Sequence, residues 1–210
     1  MAFAQGSRSS LAFIAESAFG VTPSTPTLAY LPINSHSLDL TKDRVEGNEI
    51  QADRMPRVDR HGNVQAGGSI ECDLRKADFD GLIESVMMST WDSSPSGAPD
   101  LIKVGTTQKF FTMEDSAQDI SQFRLFSGLS ASSMNVSVAP NQMISTTFDM
   151  VGKTMTQAAT TGSTGGAPTA ASANQPFDSY SGTISDGGSS IAIVTSIDFS
   201  VTNSFAPTFV

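Results

Sequence analysis

The stretch GNVQAGGSIECDL, residues 62–74, decides the fold of this 210-residue chain. Its side chains alternate between an apolar and a polar face. The apolar face carries Val64, Ala66, Ile70, Cys72 and Leu74, and the polar face carries Asn63, Gln65, Ser69, Glu71 and Asp73. A period of two predicts a β-strand with one buried and one solvated face. At ~3.3 Å per residue it would run roughly 40 Å, about twice the usual length, so we expect it to line something extended.

The elements on either side of this strand can also be read from the sequence. A shorter strand, Ser37–Val45, precedes it, and a charged connection fills residues 46–61. A helix follows, because apolar side chains recur at helical spacing at Phe79, Leu82, Ile83, Val86 and Met87. Asp78 is predicted to cap this helix, which should end near Ser89.

The second half of the chain is predicted to be almost entirely strand. The candidate strands cover residues 109–113, 122–129, 133–139, 142–151, 180–184 and 191–202. Turn sequences at Pro140-Asn141 and at residues 185–188 would join neighbouring strands as hairpins. Eight or nine strands with one helix predict a mainly β fold, an antiparallel β-sandwich or barrel with one flanking α-helix.

We expect a single domain over residues 1–210. Residues 1–27, where two prolines lie among Ser and Thr, are predicted to be an extended N-terminal arm on the surface or on a neighbouring subunit. Residues 46–61 form the charged inter-strand loop. Residues 154–178 are rich in Thr, Ala, Ser and Gly, a composition typical of a mobile outer loop.

Composition narrows the classes of function. The net charge of −9 argues against a grip on nucleic acid, although an acidic wall would let DNA slide past without sticking. The one cysteine, Cys72, is predicted to be a buried small hydrophobe and allows no internal disulfide. No apolar run approaches 18 residues and no secretion signal is apparent, so we expect no membrane span and folding in a reducing cytoplasm.

Residues that could support catalysis are scarce. His36 and His61 lie in no metal-binding pattern and are expected to be structural or surface residues. Glu71 and Asp73 share a strand face but lack an opposed acid across a cleft. Three further acids, Glu114, Asp115 and Asp119, are interpreted as a solvated acidic turn. No nucleophile, phosphate-binding or dinucleotide motif is present, so we predict a protein that is not an enzyme and needs no cofactor or metal.

Basic residues concentrate around the charged loop. Seven of the twelve Lys and Arg residues lie between positions 42 and 76, interleaved with carboxylates. Mixed charge of this kind is typical either of a solvated loop or of a self-complementary docking surface, where Arg of one copy meets a carboxylate of the next. The sequence pattern leaves both interpretations open.

Several segments, which follow one another in the same order along the chain, resemble the tail tube proteins of long, non-contractile-tailed bacteriophages. They are Ala15–Gly20 with Thr22–Pro26, Ser37–Lys42 leading to Glu49-Ile50 and Asp53-Arg54, Arg60–Asn63, Gly68–Glu71, Phe79–Glu84, Phe148–Lys153 and Val194–Phe199. No single segment is a strong motif, but the ordered set spans most of the chain.

The resemblance implies a structural virion protein that forms stacked homohexameric rings in a tail tube, made in the host cytoplasm. Its implied partners are copies of itself, the tape measure, distal tail and tail terminator proteins, and phage DNA that passes through the lumen without specific binding; no membrane is involved. Lumen-facing residues would be Gln65, Glu71, Asp73 and Asp149. Contacts between rings or subunits would come from Glu49, Asp53, Arg54, Arg57, Asp59 and Arg60.

Two other classes of function remain as alternatives to this interpretation. A monomeric β-sandwich that binds a receptor or glycan on a virion would use exposed aromatic loops, and the loops here have few aromatics. A carboxylate hydrolase would need two opposed acids in a cleft.

Overall fold

The computed structural model describes residues 8–47, 55, 58–93, 100–180, 185–186, 188–190 and 195–205. Within these residues the chain forms twelve strands and one helix. They are β1 (Ser9–Glu16), β2 (Ala29–Leu31), β3 (Ser35–His36), β4 (Asp39–Val45), β5 (Arg60–Asp73), α1 (Asp80–Met87), β6 (Phe110–Ala117), β7 (Gln122–Val138), β8 (Ser145–Gly152), β9 (Thr154–Ala158), β10 (Ser185–Asp186), β11 (Ser189–Ser190) and β12 (Ile197–Thr202).

Ten strands form one antiparallel sheet that folds over on itself at β7. Its order is β2-β1-β6-β7-β8-β5-β3, with β4 on β5 and with β9 and β12 on β7. The first half of β7 pairs with β6 and β9, and the second half pairs with β8 and β12. Because the two halves pack against each other through one apolar core, the fold is an open β-sandwich with one helix, as predicted.

The long strand β7 differs from the sequence prediction, which placed two separate strands at 122–129 and 133–139. The structure joins them into a single strand of 17 residues. A register shift between Ala131 and Ser133 lies just after the strand changes partners. A β-bulge bends a strand without ending it, and no Pro or paired turn residue interrupts this segment.

The core lies between the two halves of the sheet. Phe79 and Phe148 are both fully buried and stack with ring centroids 6.1 Å apart. Cys72 is 1% exposed, which confirms its predicted place on the apolar face of β5. Burial raises the pKa of its thiol to about 12, so it stays protonated and unreactive at neutral pH.

The helix begins one residue later than predicted, and Asp78 is not its cap. Phe79 occupies the N-cap position without a side-chain hydrogen bond. The Asp78 carboxylate instead accepts hydrogen bonds from the backbone N–H (2.9 Å) and the hydroxyl (2.8 Å) of Ser172. A contact distant in sequence therefore takes the oxygen atoms that a local cap would have used.

The prediction of an N-terminal arm over residues 1–27 is wrong for Ser9–Glu16. This segment is β1, which pairs with β6 along its whole length and with β2 on its other side. Leu11 and Ala12 are buried, so the strand belongs to the body of the sandwich. Its neighbour β2 is an edge strand of the sheet.

The prediction of a mobile loop over residues 154–178 is also wrong in part. Residues 154–158 form β9 on the first half of β7. The following segment is tied to the body by Glu114, whose carboxylate accepts hydrogen bonds from the Thr161 hydroxyl (2.7 Å) and the Gly162 N–H (2.5 Å). A parallel bridge between Thr169 and Ala29 adds a second attachment. Buried acids and backbone pairing thus order a segment whose own composition is bland.

We predict that Glu114→Ala lowers the free energy of unfolding by about 1–3 kcal/mol, because it removes the charged acceptor of the Thr161 hydroxyl and the Gly162 N–H. Hydrogen exchange should show that the Gly162 amide loses protection. Glu46→Ala, a change at an exposed carboxylate, is the control and should shift stability by less than about 0.5 kcal/mol. Unchanged protection at Gly162 would contradict the attachment.

Candidate assembly surfaces

The second half of the sheet presents one continuous polar face. Residues paired across neighbouring strands project to the same side, so the register determines which side chains lie together. Ser69 pairs with Asp149, and Asp149 in turn pairs with Ser133. The face comprises Ser35, Ser37, Asp39 and Thr41; Asn63, Gln65, Gly67, Ser69, Glu71 and Asp73; Ser145, Thr147, Asp149 and Val151; Ser133, Asn135 and Ser137; and Asp198, Ser200 and Thr202.

The charge of this polar face has a single sign. Apart from Val151 and Gly67, every residue in the set is Ser, Thr, Asn, Gln, Asp or Glu, and the charged residues in it are the carboxylates Asp39, Glu71, Asp73, Asp149 and Asp198. Hydroxyl and amide groups hold some of them in place: Ser35 donates to Glu71 (2.8 Å), Ser133 donates to Asp149 (2.5 Å) and Asn34 donates to Asp73 (3.0 Å). The result is a polar surface whose own charged residues are all carboxylates.

The structure places Gln65, Glu71, Asp73 and Asp149, the residues predicted to face a lumen, on this same polar face. Gly68 allows the close packing of the chain beside it, because a Cβ there would collide with the Ser37 carbonyl, and its φ of +147° favours glycine. That close approach fixes β3 and β4 in one register along β5.

Both outer strands of the polar half-sheet have an unpaired side within the described residues. β12 is the last strand beyond β7, and β3 with β4 is the last beyond β5. On β12, Ile197 and Phe199 are 39% and 53% exposed. Unpaired edges that carry apolar side chains are sites where another chain can add to a sheet.

Beyond the sandwich, β4 and the start of β5 form a protruding two-stranded ribbon. We call residues 41–45 with 60–64 the β4–β5 ribbon. Every residue from Thr41 to Val45 is exposed, as are Arg60, His61 and Asn63. Exposure on both faces means that the ribbon extends past the core. An isolated two-stranded hairpin is marginally stable in water, so this ribbon is suited to packing against another molecule.

Two of the predicted contact residues, Asp59 and Arg60, lie at the free end of the ribbon, where Arg60 pairs with Val45. Arg44 bridges Asp59 at 2.7 Å and Glu46 at 3.3 Å, with both pairs solvated and therefore worth little to stability. The other predicted contact residues, Glu49, Asp53, Arg54 and Arg57, lie outside the described residues.

A buried charge network contradicts the interpretation of Glu114 and Asp115 as a solvated turn. Both lie within β6 and are 2% and 8% exposed. Arg124 donates two hydrogen bonds to Asp115, of 2.9 and 2.6 Å, and His36 Nε2 lies 3.4 Å from the same carboxylate. Burial by itself would raise the pKa of Asp115, but the hydrogen bonds and charges of His36 and Arg124 outweigh it and lower the pKa.

This network was not found in the sequence because its members are far apart along the chain. Arg124 also reaches Asp39 at 3.6 Å, which links β7 to β4. The available signal was the position of Glu114 and Asp115 directly after the aromatic run at 110–111, where a strand could continue. The network is a structural clamp between strands.

Neither a candidate metal site nor a membrane-crossing helix is found in the described part of the chain. No three His, Cys, Asp or Glu side chains there come together in a way that could hold a metal ion. Among the same residues, no helix has the length and apolarity needed to cross a bilayer. His61 is exposed on the ribbon, and His36 belongs to the Asp115 network.

Comparison with known proteins adds one strong match. The family described as phage tail tube protein matches residues 6–210. None of the curated proteins matches the sequence. Two solved structures are weakly similar: the PVC sheath/tube terminator of an extracellular contractile injection system (TM-score 0.46, 11% identity, 75% of this chain and 98% of that chain) and the tube terminating cap of the anti-feeding prophage (0.45, 11%, 75% and 92%). Likeness at this level carries no functional argument.

Proposed function

Because this chain belongs to the phage tail tube protein family, it is a structural tail component rather than an enzyme, and we propose that its copies form stacked hexameric rings whose bore conducts phage DNA. The tail would be of the long, non-contractile kind that the sequence resemblance implies. The observation that carries the proposal is the polar face, an acidic surface with no Lys or Arg among its described residues.

An acidic bore fits the passage of DNA. Phosphate groups are repelled by carboxylates such as Glu71 and Asp149, and Ser, Thr and Asn side chains keep the wall hydrated without gripping the bases. A bore with Lys or Arg would release counterions from DNA and bind it, which would slow its movement. Gln65, Glu71, Asp73 and Asp149 are the proposed bore residues.

Ring closure is supported by the two edges of the polar half-sheet. β12 lies at one edge and β3 with β4 at the other, so the β12 edge of one copy can pair with the β4 edge of the next. Such a head-to-tail contact makes a closed ring when the rotation per copy closes, and closure removes both exposed edges of the polar half-sheet. Ile197 and Phe199 would become buried at that seam.

The remaining partners follow from a tube with two ends and a filled bore. We propose that a tape measure protein occupies the bore before DNA enters, and that distal tail and tail terminator proteins close the two ends. The ribbon residues, with Asp59 and Arg60 at the ribbon's free end, would contact the adjacent ring.

Electron microscopy of the purified protein, alone and with a tail initiator complex, tests the proposal. We expect hollow tubes with six-fold rings. Particles that remain single chains with the initiator present would contradict it.

A charge reversal tests the bore. Glu71→Lys with Asp149→Lys should leave tubes intact, because both side chains lie on a solvated face, but should slow DNA ejection about tenfold or more, since phosphates would then bind the wall. The control is Asp80→Lys with Asp100→Lys, which makes the same charge change at exposed positions in and near the helix. The rate of DNA ejection is measured by dye fluorescence. If the Glu71/Asp149 variant ejects DNA as fast as the control variant, the polar face does not line the bore.

A further inference from the structure

The two ends of β5 carry complementary features. β5 has 14 residues, so its ends lie about 45 Å apart at ~3.3 Å per residue. The chain at the first end is the β4–β5 ribbon. At the other end, backbone hydrogen bonds join three segments of the chain. The Leu74 N–H donates to the Ile144 carbonyl (2.8 Å), and the Phe177 N–H donates to the Leu74 carbonyl (2.8 Å).

An exposed apolar group lies at this far end of β5. Met143, Phe177 and Tyr180 are 49%, 46% and 89% exposed, and we call them the distal apolar cluster. Met143 bridges Asp178 in antiparallel pairing, and the Ser179 N–H donates to the Gln142 carbonyl at 3.0 Å. Backbone pairing therefore presents large apolar side chains to solvent on an ordered support. Such a group marks an interaction surface.

The ribbon end carries matching apolar side chains. Val45, the last residue of β4, is 54% exposed, and Val58, two residues before β5, is 86% exposed, although valine is among the residues most often buried. In the described part of the ribbon no residue belongs to a core that would bury them. A second apolar surface is needed to cover them, and the distal apolar cluster of another copy has the right chemistry.

Charge complements the apolar match. Arg60 opens β5 and Asp73 closes it, so opposite charges stand at opposite ends of one strand. Among the described residues neither has an ion-pair partner; Asp73 accepts only the Asn34 amide hydrogen bond. When copies stack head to tail, Arg60 of one copy meets Asp73 of the next. When they stack head to head or tail to tail, like charges meet.

We propose that the β4–β5 ribbon of one copy docks on the distal apolar cluster of a copy in the next ring, with Val45 and Val58 against Met143, Phe177 and Tyr180, and Arg60 against Asp73. This proposal rests on the proposed function and specifies which surface receives the ribbon. A contact that joins two different surfaces of the same chain does not close on itself along the axis, so it propagates as a stack.

Crosslinking between copies tests this docking surface. Cys72 is buried and its thiol protonated, so introduced cysteines react alone. Val58→Cys with Gln142→Cys, treated with a short bis-maleimide reagent, should give a ladder of covalent multimers in denaturing gels. Each single variant should give at most dimers. The control pair Val58→Cys with Val104→Cys, whose second site is 80% exposed beside the helix, should give no ladder.

Electron microscopy of the same samples separates this inference from the proposed function. Tubes with a 58–142 ladder support both. Tubes without that ladder contradict the docking surface but still support the proposal that the protein is a tube subunit. A ladder in particles that are never tubular supports docking between copies and contradicts the tube, and neither ladder nor tubes overturns both.

A charge exchange tests the ion pair independently of reagent chemistry. Arg60→Glu should reduce the number of rings per particle at least tenfold, and adding Asp73→Lys to the same chain should restore tube length. Circular dichroism and thermal unfolding of each variant check that it is folded. A double variant that is folded but no longer than Arg60→Glu alone would overturn the Arg60–Asp73 contact.

Discussion

Replacing Phe148 with alanine should lower the free energy of unfolding by about 3–5 kcal/mol, the largest single effect we expect in this chain. Phe148 on β8 is fully buried and stacks on Phe79 at the start of the helix. Its ring therefore joins the polar half-sheet to the helix. Removing it forfeits the burial of an aromatic ring and leaves a cavity between elements that cannot close on it.

Urea unfolding at neutral pH measures this loss. Phe199→Ala is the matched control, because Phe199 is 53% exposed on an edge strand and its truncation should cost less than about 1 kcal/mol in the monomer. If both variants lost the same free energy of unfolding, the Phe79–Phe148 stack would contribute no more to stability than an exposed edge residue.

Asp115→Asn should produce the second largest effect, a loss of about 2 kcal/mol at pH 7. The substitution removes the charge that Arg124 binds through two hydrogen bonds, inside a carboxylate site that is 11% exposed. Breaking a fully buried pair costs about 3–5 kcal/mol, and the guanidinium here is 35% exposed, so solvent screening reduces the figure.

The same carboxylate predicts how stability depends on pH. The pKa of Asp115 is lower in the folded chain than in the unfolded chain, so its contribution is present above the unfolded pKa of about 3.9 and is lost as pH falls through the folded pKa. The facing groups are His36, Arg124 and Ser9, which donates at 3.3 Å. Wild type should therefore lose stability below about pH 4.

Unfolding curves at pH 7, 5 and 3 test this dependence. Asp115→Asn should show a shallower decline below pH 4 than wild type. Asp198→Asn, at an exposed position on β12, should decline as wild type does. Parallel curves for wild type and Asp115→Asn would show that the clamp does not set the acid limit.

Several features of the fold could be predicted because they depend on local pattern. The alternation in residues 62–74 predicts β5 and the burial of Cys72, and the sequence between 133 and 151 predicts the β7–β8 hairpin. A hairpin is also predicted around residues 185–188, and β10 pairs with β11 there, although Ser185 and Asp186 are strand residues and not turn residues. In each case the period of the side chains or the turn residues carry the whole signal.

Other features could not be predicted because they depend on distant partners. From the sequence, Glu114 and Asp115 are interpreted as solvent-exposed acids. In the folded chain Thr161 contacts Glu114, and His36 and Arg124 contact Asp115. The residues of 9–16 become a strand because β6 lies beside them along their whole length. The stabilisation of such a strand comes from a partner that is distant in the sequence, so the residues of the segment itself give little indication of it.

The sequence by itself determined which side chains share a face of the long strand, because strand geometry gives successive residues opposite directions. Only the tertiary structure decided that six strands align their polar residues into one acidic surface, and that the ribbon extends beyond the core. Register and burial are set by which strands pair, and that choice is made by the packing of the whole sandwich.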